Sequence, residues 1–244
     1  MLDNSSAILP SRDQSVDIET VIVSVNYGDF LRITLPVTKK YFRSITIVTS
    51  PHDCETLSLA RQHGVHTHLT DVWYRNGANF NKAAAINEYL AHITETRKEC
   101  WILLLDADVL FSESIIPDIP NLDKRGLYSV RRRICKKRIQ WEYFMIGFLN
   151  WDDFPLSVPP IKNGKVWGCL PTSNPAALCG YVHLWNLKHS IGMKRLPNSN
   201  NAARYDVGFA LSFPETMRGF LENREVLHLG PEEANWNGRC SERW

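Results

Sequence analysis

The sequence contains no uninterrupted apolar stretch of the about 18 residues that a membrane-spanning helix needs. Its first fifteen residues are polar and acidic, where a leader peptide would be basic and then apolar. Together these give the expectation of a soluble cytoplasmic protein with neither signal peptide nor transmembrane segment. Close cysteine pairs are missing too. The six cysteines stand at 54, 100, 135, 169, 179 and 240 with no C-x-x-C among them, so free thiols in a reducing cytoplasm are expected. Net charge is only +2, too little to announce a polyanionic partner. Internal repeats, low-complexity tracts and linkers are also absent, which leaves one compact unit after a loose, Ser- and Asp-rich lead-in over residues 1–15. Against these absences, 44% hydrophobic residues in a 244-residue chain suffice for a substantial core.

The most informative local feature is Asp106-Ala107-Asp108, placed directly after the apolar run Trp101-Ile102-Leu103-Leu104-Leu105. A buried strand that ends in two carboxylates carries charge to a sheet edge, where a cation or polar ligand offsets the cost of placing it. Residues i and i+2 of an extended segment point the same way, so Asp106 and Asp108 are expected on one side while the small Ala107 lets the backbone pass. Two hard oxygen ligands suit Mg²⁺ or Mn²⁺ carrying phosphates. An ordinary turn after a strand explains the same three residues.

Ahead of the aspartates the segments alternate. Residues 18–25 read as a buried strand, 29–41 as a helix blemished by Pro36, and 44–49 as a second strand. Residues 54–63 read as a helix capped by Asp53 and stopped by Gly64, followed by a strand over 65–69. Asn79 is expected to cap a helix over 80–92 that leads into the strand at 101. This order predicts an α/β fold with a mostly parallel sheet, helices on both faces, and ligands beyond the carboxyl ends of the strands. The second half reads as shorter strands at 127–133, 143–148 and 177–185, with a long loop or lid over 150–173. One run, Arg131-Arg132-Arg133-Ile134-Cys135-Lys136-Lys137-Arg138, suits the phosphates of a nucleic acid or a lipid surface. It suits a solvated strand edge equally well.

Three segments carry a family likeness: Val21-Ile22-Val23-Ser24-Val25-Asn26-Tyr27, Phe80-Asn81-Lys82-Ala83-Ala84-Ala85-Ile86-Asn87, and Leu103-Leu104-Leu105-Asp106-Ala107-Asp108. Together they resemble the GT-A glycosyltransferases, and within them the family-2-like group that uses nucleotide-diphosphate sugars, over roughly residues 18–112 and in outline beyond. The resemblance implies a GT-A, Rossmann-like sheet in a single domain over 16–244. Residues 16–112 would bind the nucleotide sugar, and 113–244 would face the acceptor and complete the metal site. It further implies Mn²⁺ or Mg²⁺ as cofactor and a UDP-linked donor in the first instance. Carried over residue by residue, Asp106 approaches the donor ribose and the metal, Ala107 follows it along the donor, and Asp108 ligates the metal directly. Asn81 and Lys82 lie near nucleotide or phosphate. Val25, Asn26 and Tyr27 meet the base, with Tyr27 offering a stacking face. Thr49, Ser50 and Pro51 frame a uracil through backbone contacts, and Asp53 is the one acid at hand to read it.

Later segments extend the likeness. Tyr205-Asp206-Val207-Gly208-Phe209-Ala210-Leu211 resembles the stretch in which an acid opens a helix facing the acceptor, which makes Asp206 the candidate general base. Relatives often carry Glu-Asp where this chain has Tyr205-Asp206, and a plain helix cap accounts for Asp206 equally well. His228 is the implied third metal ligand, a core histidine being the alternative, and Arg239 an implied phosphate partner. Gly180 and Tyr181 resemble a stretch lining the sugar pocket. The implied reaction is metal-dependent transfer of a glycosyl group to a hydroxyl. A hydroxylated or hydroxymethylated base in DNA, gripped by Arg131, Arg132, Arg133, Lys136, Lys137 and Arg138, is one acceptor. A glycan is another, with Trp151, Trp167 and Trp185 as sugar platforms. A degenerate nucleotide-sugar or glycan-binding module is the non-enzymatic rival. Val25-Asn26-Tyr27-Gly28-Asp29 lacks the Gly-rich basic loop of a nucleotidyltransferase, which counts against that class.

Overall fold

The computed structural model describes residues 16–97, 99–157, 161–162, 165–166, 178, 180–202, 205–230, 235–240 and 242–244. The lead-in expected over 1–15 and Trp167 lie outside them. Every residue of β1 (Ile18–Val23) and β2 (Ile45–Thr49) is buried, as is β4 (Trp101–Asp106) up to its last residue. Such strands, apolar on both faces, must lie between helices. The helices are α1 (Gly28–Tyr41) and α2 (Cys54–His63), with β3 (His66–Leu69) after them, and α3 (Lys82–Thr96) before β4. Ile22, Leu31, Leu35, Leu103 and Leu105 pack on one side of the sheet, and Val23, Ile86, Leu90, Ile102, Leu104 and Phe209 on the other.

After β4 come β5 (Val109–Phe111), β6 (Leu127–Cys135), α4 (Arg138–Met145), β7 (Ile161–Lys162), β8 (Lys165–Val166), β9 (Val182–Asn186), α5 (Tyr205–Leu211) and β10 (Arg218–Leu229). One eight-stranded sheet has the order β3-β2-β1-β4-β9-β6-β10-β5, while β7 and β8 form a separate antiparallel pair. Strands β1 to β4 run parallel. β9 is antiparallel to both β4 and β6, so β6 runs with β4, and β10 is parallel to β6. The carboxyl ends of β1, β2, β4, β6 and β10 therefore share one edge, where an open α/β sheet binds its ligands. Among the described residues no helix is long and apolar enough to cross a membrane.

Several expected boundaries change. Asn81, not Asn79, caps α3, its Oδ1 accepting the Ala84 N–H at 3.0 Å. Phe80 stays outside the helix, buried against Trp73 with the rings stacked at 5.2 Å. The strand expected at 143–148 is α4 followed by a turn. Its run of apolar letters misled, since Trp141 and Phe144 lie three apart on one helical face and pack into a cluster with Phe30, Phe154 and Trp244. The strand at 127–133 runs on to Cys135, and the one at 177–185 is β9, Val182–Asn186. The described part of the expected loop over 150–173 holds one helical turn, Trp151–Asp153, and the β7–β8 pair.

Candidate active site

The Asp106-Ala107-Asp108 segment is held by three elements. The Asp106 N–H donates to Tyr181 O just ahead of β9 at 3.1 Å, and Thr34 Oγ1 of α1 donates to Ala107 O at 2.7 Å. Leu229 N–H of β10 donates to Asp108 O at 2.8 Å. The antiparallel β5–β10 pair sets His228 opposite Val109, which brings the imidazole to Asp108. His228 Nε2 lies 3.5 Å from Asp108 Oδ1.

The two aspartates are held differently, though near enough for the Asp106 charge to raise the Asp108 carboxyl. Strand geometry ends at Asp106, and the next two residues form a turn, so the alternation that would align the carboxylates no longer applies. Asp106 Oδ1 instead accepts the Lys82 ammonium. Lys82 is buried at the first turn of α3, with its Nζ 5.5 Å from the Tyr205 ring centroid. Burial alone would lower the pKa of Lys82, but Asp106 outweighs it and the result is raised, so the pair is a fixed ionic contact. Asp106, expected near the metal and the donor ribose, thus has Lys82 as its partner within the fold.

Asp108 is different. It is buried and its Oδ1 has no hydrogen-bond partner. Burial first, and the Asp106 charge second, push its carboxyl up to about 7 against the pull of Lys82 and Arg132. Among the described residues no three His, Cys, Asp or Glu side chains are gathered for a metal, and of the expected ligands Asp108 and His228 lie together. A hard carboxylate oxygen left unbonded beside an imidazole nevertheless fits a divalent cation whose remaining ligands come from a phosphate substrate.

Around this centre the predicted residues separate into those that face it and those that frame it. Tyr27 faces it: after burial, Asp108 and Asp106 are the largest influences raising its hydroxyl pKa. Its ring packs on Phe30 at 5.8 Å and under the Arg239 guanidinium at 5.0 Å. Asn26 adopts φ 63° and donates its N–H to Asp53 Oδ2 at 2.7 Å, and Asp53 Oδ1 accepts from Thr56 N–H at 3.1 Å. Both Asp53 oxygens are thus engaged by backbone, which corrects it from base reader to loop clamp and helix cap. The side chains of Val25 and Thr49 are buried, so what either offers a base is its backbone, as expected for Thr49. Asn81 spends its side-chain oxygen on the α3 cap rather than on a nucleotide.

Arg239, the expected phosphate partner, is engaged within the fold as a staple. Its guanidinium forms a two-pronged pair with Asp29, Nη2 to Oδ2 at 2.7 Å, and donates to Asn26 O at 3.1 Å. The pair ties the C-terminal segment to the first turn of α1 behind Tyr27.

Asp206 opens α5. Its Oδ2 accepts Gly180 N–H at 2.7 Å and its Oδ1 accepts Val207 N–H at 2.8 Å. A Cβ on Gly180 would lie 2.3 Å from Asp206 Cβ, so only glycine allows this approach. Sequence reading missed His183 and the part played by Tyr205. His183 on β9 is buried, its Nε2 3.2 Å from Leu178 O, and its Nδ1 lacks a hydrogen-bond partner. Burial holds its pKa low although Asp206 and Asp106 pull it up, so it stands as a neutral group between the two acids. Its only sequence signal was a polar letter inside an apolar strand.

The cationic run is divided. Arg133 pairs with Glu225 and, through Nη2, with Asp152 Oδ1 at 2.8 Å. Arg132 lies over the Tyr181 ring at 4.8 Å, donates to Ser157 Oγ at 2.9 Å, and its charge reaches Asp108. Arg131 is half-buried, and only Lys136, Lys137 and Arg138 are fully exposed. Strand pleating sends neighbouring arginines to opposite faces, so no continuous strip forms. Trp185 is buried under α5 against Phe209, and Trp151 donates its Nε1–H to Glu225 at 3.1 Å, which removes both as open sugar platforms.

No family model matches the sequence, and no curated protein matches it either. Solved structures do. The mannosyltransferase PcManGT from Pyrobaculum calidifontis, in complex with GDP-Man and Mn²⁺, superposes with a TM-score of 0.53 at 13% identity. The match covers 89% of this chain and 58% of that one. TarS from S. aureus gives 0.53 at 10% identity, covering 90% of this chain and 37% of that one. This chain thus spans little more than half of the first and about a third of the second. At such identities the likeness is one of fold, and the fold of this chain is the GT-A fold of nucleotide-sugar glycosyltransferases.

Proposed function

We propose that the chain is a glycosyltransferase that moves a sugar from a nucleoside diphosphate, UDP in the first instance, to a hydroxyl group. The observation that carries this reading is the buried Asp108 carboxylate, one oxygen unbonded and 3.5 Å from His228, at the carboxyl edge of a GT-A sheet. Asp108 and His228 would hold Mn²⁺ or Mg²⁺, the former being the ion in PcManGT with its GDP-sugar. Such an ion supplies positive charge to the diphosphate as it leaves. Tyr27, backed by Phe30 and Arg239, offers its ring to the base. The fixed Lys82–Asp106 pair lies beside it, with Asp106 toward the donor ribose. Asp206 accepts the proton of the acceptor hydroxyl as its oxygen bonds the sugar carbon and the bond from that carbon to the diphosphate breaks. Residues 16–112 then serve the donor, and 113–244 contribute His228 and Asp206. With Arg132 and Arg133 bound within the sheet region, a glycan or small hydroxyl compound is favoured as acceptor over DNA.

Incubation with a panel of nucleotide sugars and Mn²⁺, followed by chromatography for the released nucleoside diphosphate, identifies the donor. Asp108→Asn is expected to cut turnover by about two to three orders of magnitude. Undiminished transfer by that variant overturns the metal role. A panel of hydroxymethylated DNA and oligosaccharides in the same assay separates the acceptor classes.

A further inference from the structure

Helix α4 carries apolar residues on two faces, and among the described residues one face is packed while the other is exposed. Trp141 and Phe144 point inward, with Phe144 5.5 Å from the Phe154 ring and Trp141 6.5 Å from the Trp244 ring. Ile139, Tyr143 and Ile146, spaced i, i+4 and i+7, form a stripe on the opposite side, and all three are exposed. Met145 and Phe148 widen it. Gly147 at φ 75° turns the chain so that Phe148 N–H donates to Tyr143 O at 2.8 Å, which folds the Phe148 ring back to 5.7 Å from Tyr143. Ile146 is 74% exposed and Phe148 78%, the two most exposed large apolar side chains among the described residues. Among the described residues their one ring contact is that between Tyr143 and Phe148.

The charge at this patch is cationic. Lys136, Lys137 and Arg138 are exposed at the helix entrance, while the one acid on the helix, Glu142, pairs with Arg138 at 3.0 Å. Apolar side chains bordered by cations on a helix too short to span a bilayer describe an interfacial anchor. We infer that α4 and the following turn dock on an anionic lipid surface, with Ile139, Tyr143, Met145, Ile146 and Phe148 entering the acyl boundary and Lys136 and Lys137 meeting headgroups. A nucleic acid would engage the cations without use for the aliphatic stripe. A second copy of the chain would bring the same cations of both copies to the rim of one interface.

The position matters for the active site. β6 ends beside β10, where Gly230 N–H donates to Cys135 O at 2.9 Å two residues after His228. Trp244 bridges α4 to Phe30, 5.3 Å away, which packs on Tyr27. Docking therefore presents the rim of the candidate site to the bilayer, where an acceptor carried on a lipid would be met. The inference stands on the patch alone and does not need the donor chemistry to be right.

Flotation of the full chain with phosphatidylcholine vesicles, with and without phosphatidylglycerol, tests it. Retention is expected on the anionic vesicles only and should weaken with salt. Ile146→Ser with Phe148→Ser, and separately Lys136→Glu with Lys137→Glu, should each weaken binding by about tenfold or more. Circular dichroism on both variants verifies the fold, which these exposed positions should leave intact. No retention on anionic vesicles overturns the inference, as does retention that the apolar variant leaves unchanged. Sedimentation showing a dimer that the apolar variant dissolves, or equal retention of duplex DNA governed by the lysines alone, assigns the patch to the other occupants and also overturns it.

Discussion

Asp106 and Asp108 are two positions apart, yet their carboxylates work under different electrostatics. Asp106 has its countercharge within the fold, in Lys82, whereas Asp108 is buried with one oxygen unbonded and is pushed up to about 7. The tripeptide was legible in the sequence as a charged strand end. The separation of its two roles was not, because it depends on a turn beginning after Asp106 and on a lysine contributed by another element. Gly180 is the other residue on which the site turns. Gly180→Ala would set a Cβ 2.3 Å from Asp206 Cβ, too close for either backbone to stay in place. The expected outcome is loss of most sugar transfer with the melting temperature lowered by only a few degrees, about 1–2 kcal/mol of strain relieved by displacement of α5. Transfer assays beside thermal unfolding decide it, since wild-type activity in the variant would remove Asp206 from the reaction.

At the scale of elements, caps and stops explain why the parallel half was readable. Asp53 and Gly64 bracket α2 as local chemistry dictates, the first accepting Thr56 N–H and the second at φ 61°. Asp53 also holds Asn26, 27 positions earlier, so its removal does more than fray a helix. Asp53→Ala is expected to cost about 1 kcal/mol for the cap and a further roughly 0.5–1.5 kcal/mol for the hydrogen bond lost from Asn26 N–H. Denaturant unfolding measures this, and a cost confined to the cap alone would show that the Asn26 contact contributes nothing. The helix α4 was misread because its sequence, rich in aromatic and β-favouring residues, suits a strand by propensity. Packing of Trp141 and Phe144 against Phe154 and Trp244 decides for a helix, and Trp244 lies far along the chain.

At the scale of the molecule, the clasp between Arg239 and Asp29 joins the last residues to the first helix across 210 positions. Burial would raise the Asp29 carboxyl, but Arg239 and the Trp244 N–H outweigh it and hold it below its usual range. A depressed carboxyl contributes stability that is present above its unfolded value, about pH 4, and is lost as pH falls through the lower folded value. Asp29→Asn should therefore unfold at lower temperature than wild type at neutral pH, with the gap narrowing below about pH 4. Calorimetry across that range checks it, and a gap independent of pH would remove the ion pair as its source. The sequence by itself determined the parallel alternation, the buried strand ending in carboxylates and the capped helices, because each depends on residues within a few positions of one another. Only the tertiary structure decided which charges are neutralised. It matched Asp106 to Lys82, Asp29 to Arg239 and Arg133 to Glu225, set Asp108 beside His228, and left the stripe on α4 exposed. Charge compensation and burial depend on distances in space, and those are set by strand order and register rather than by spacing along the chain.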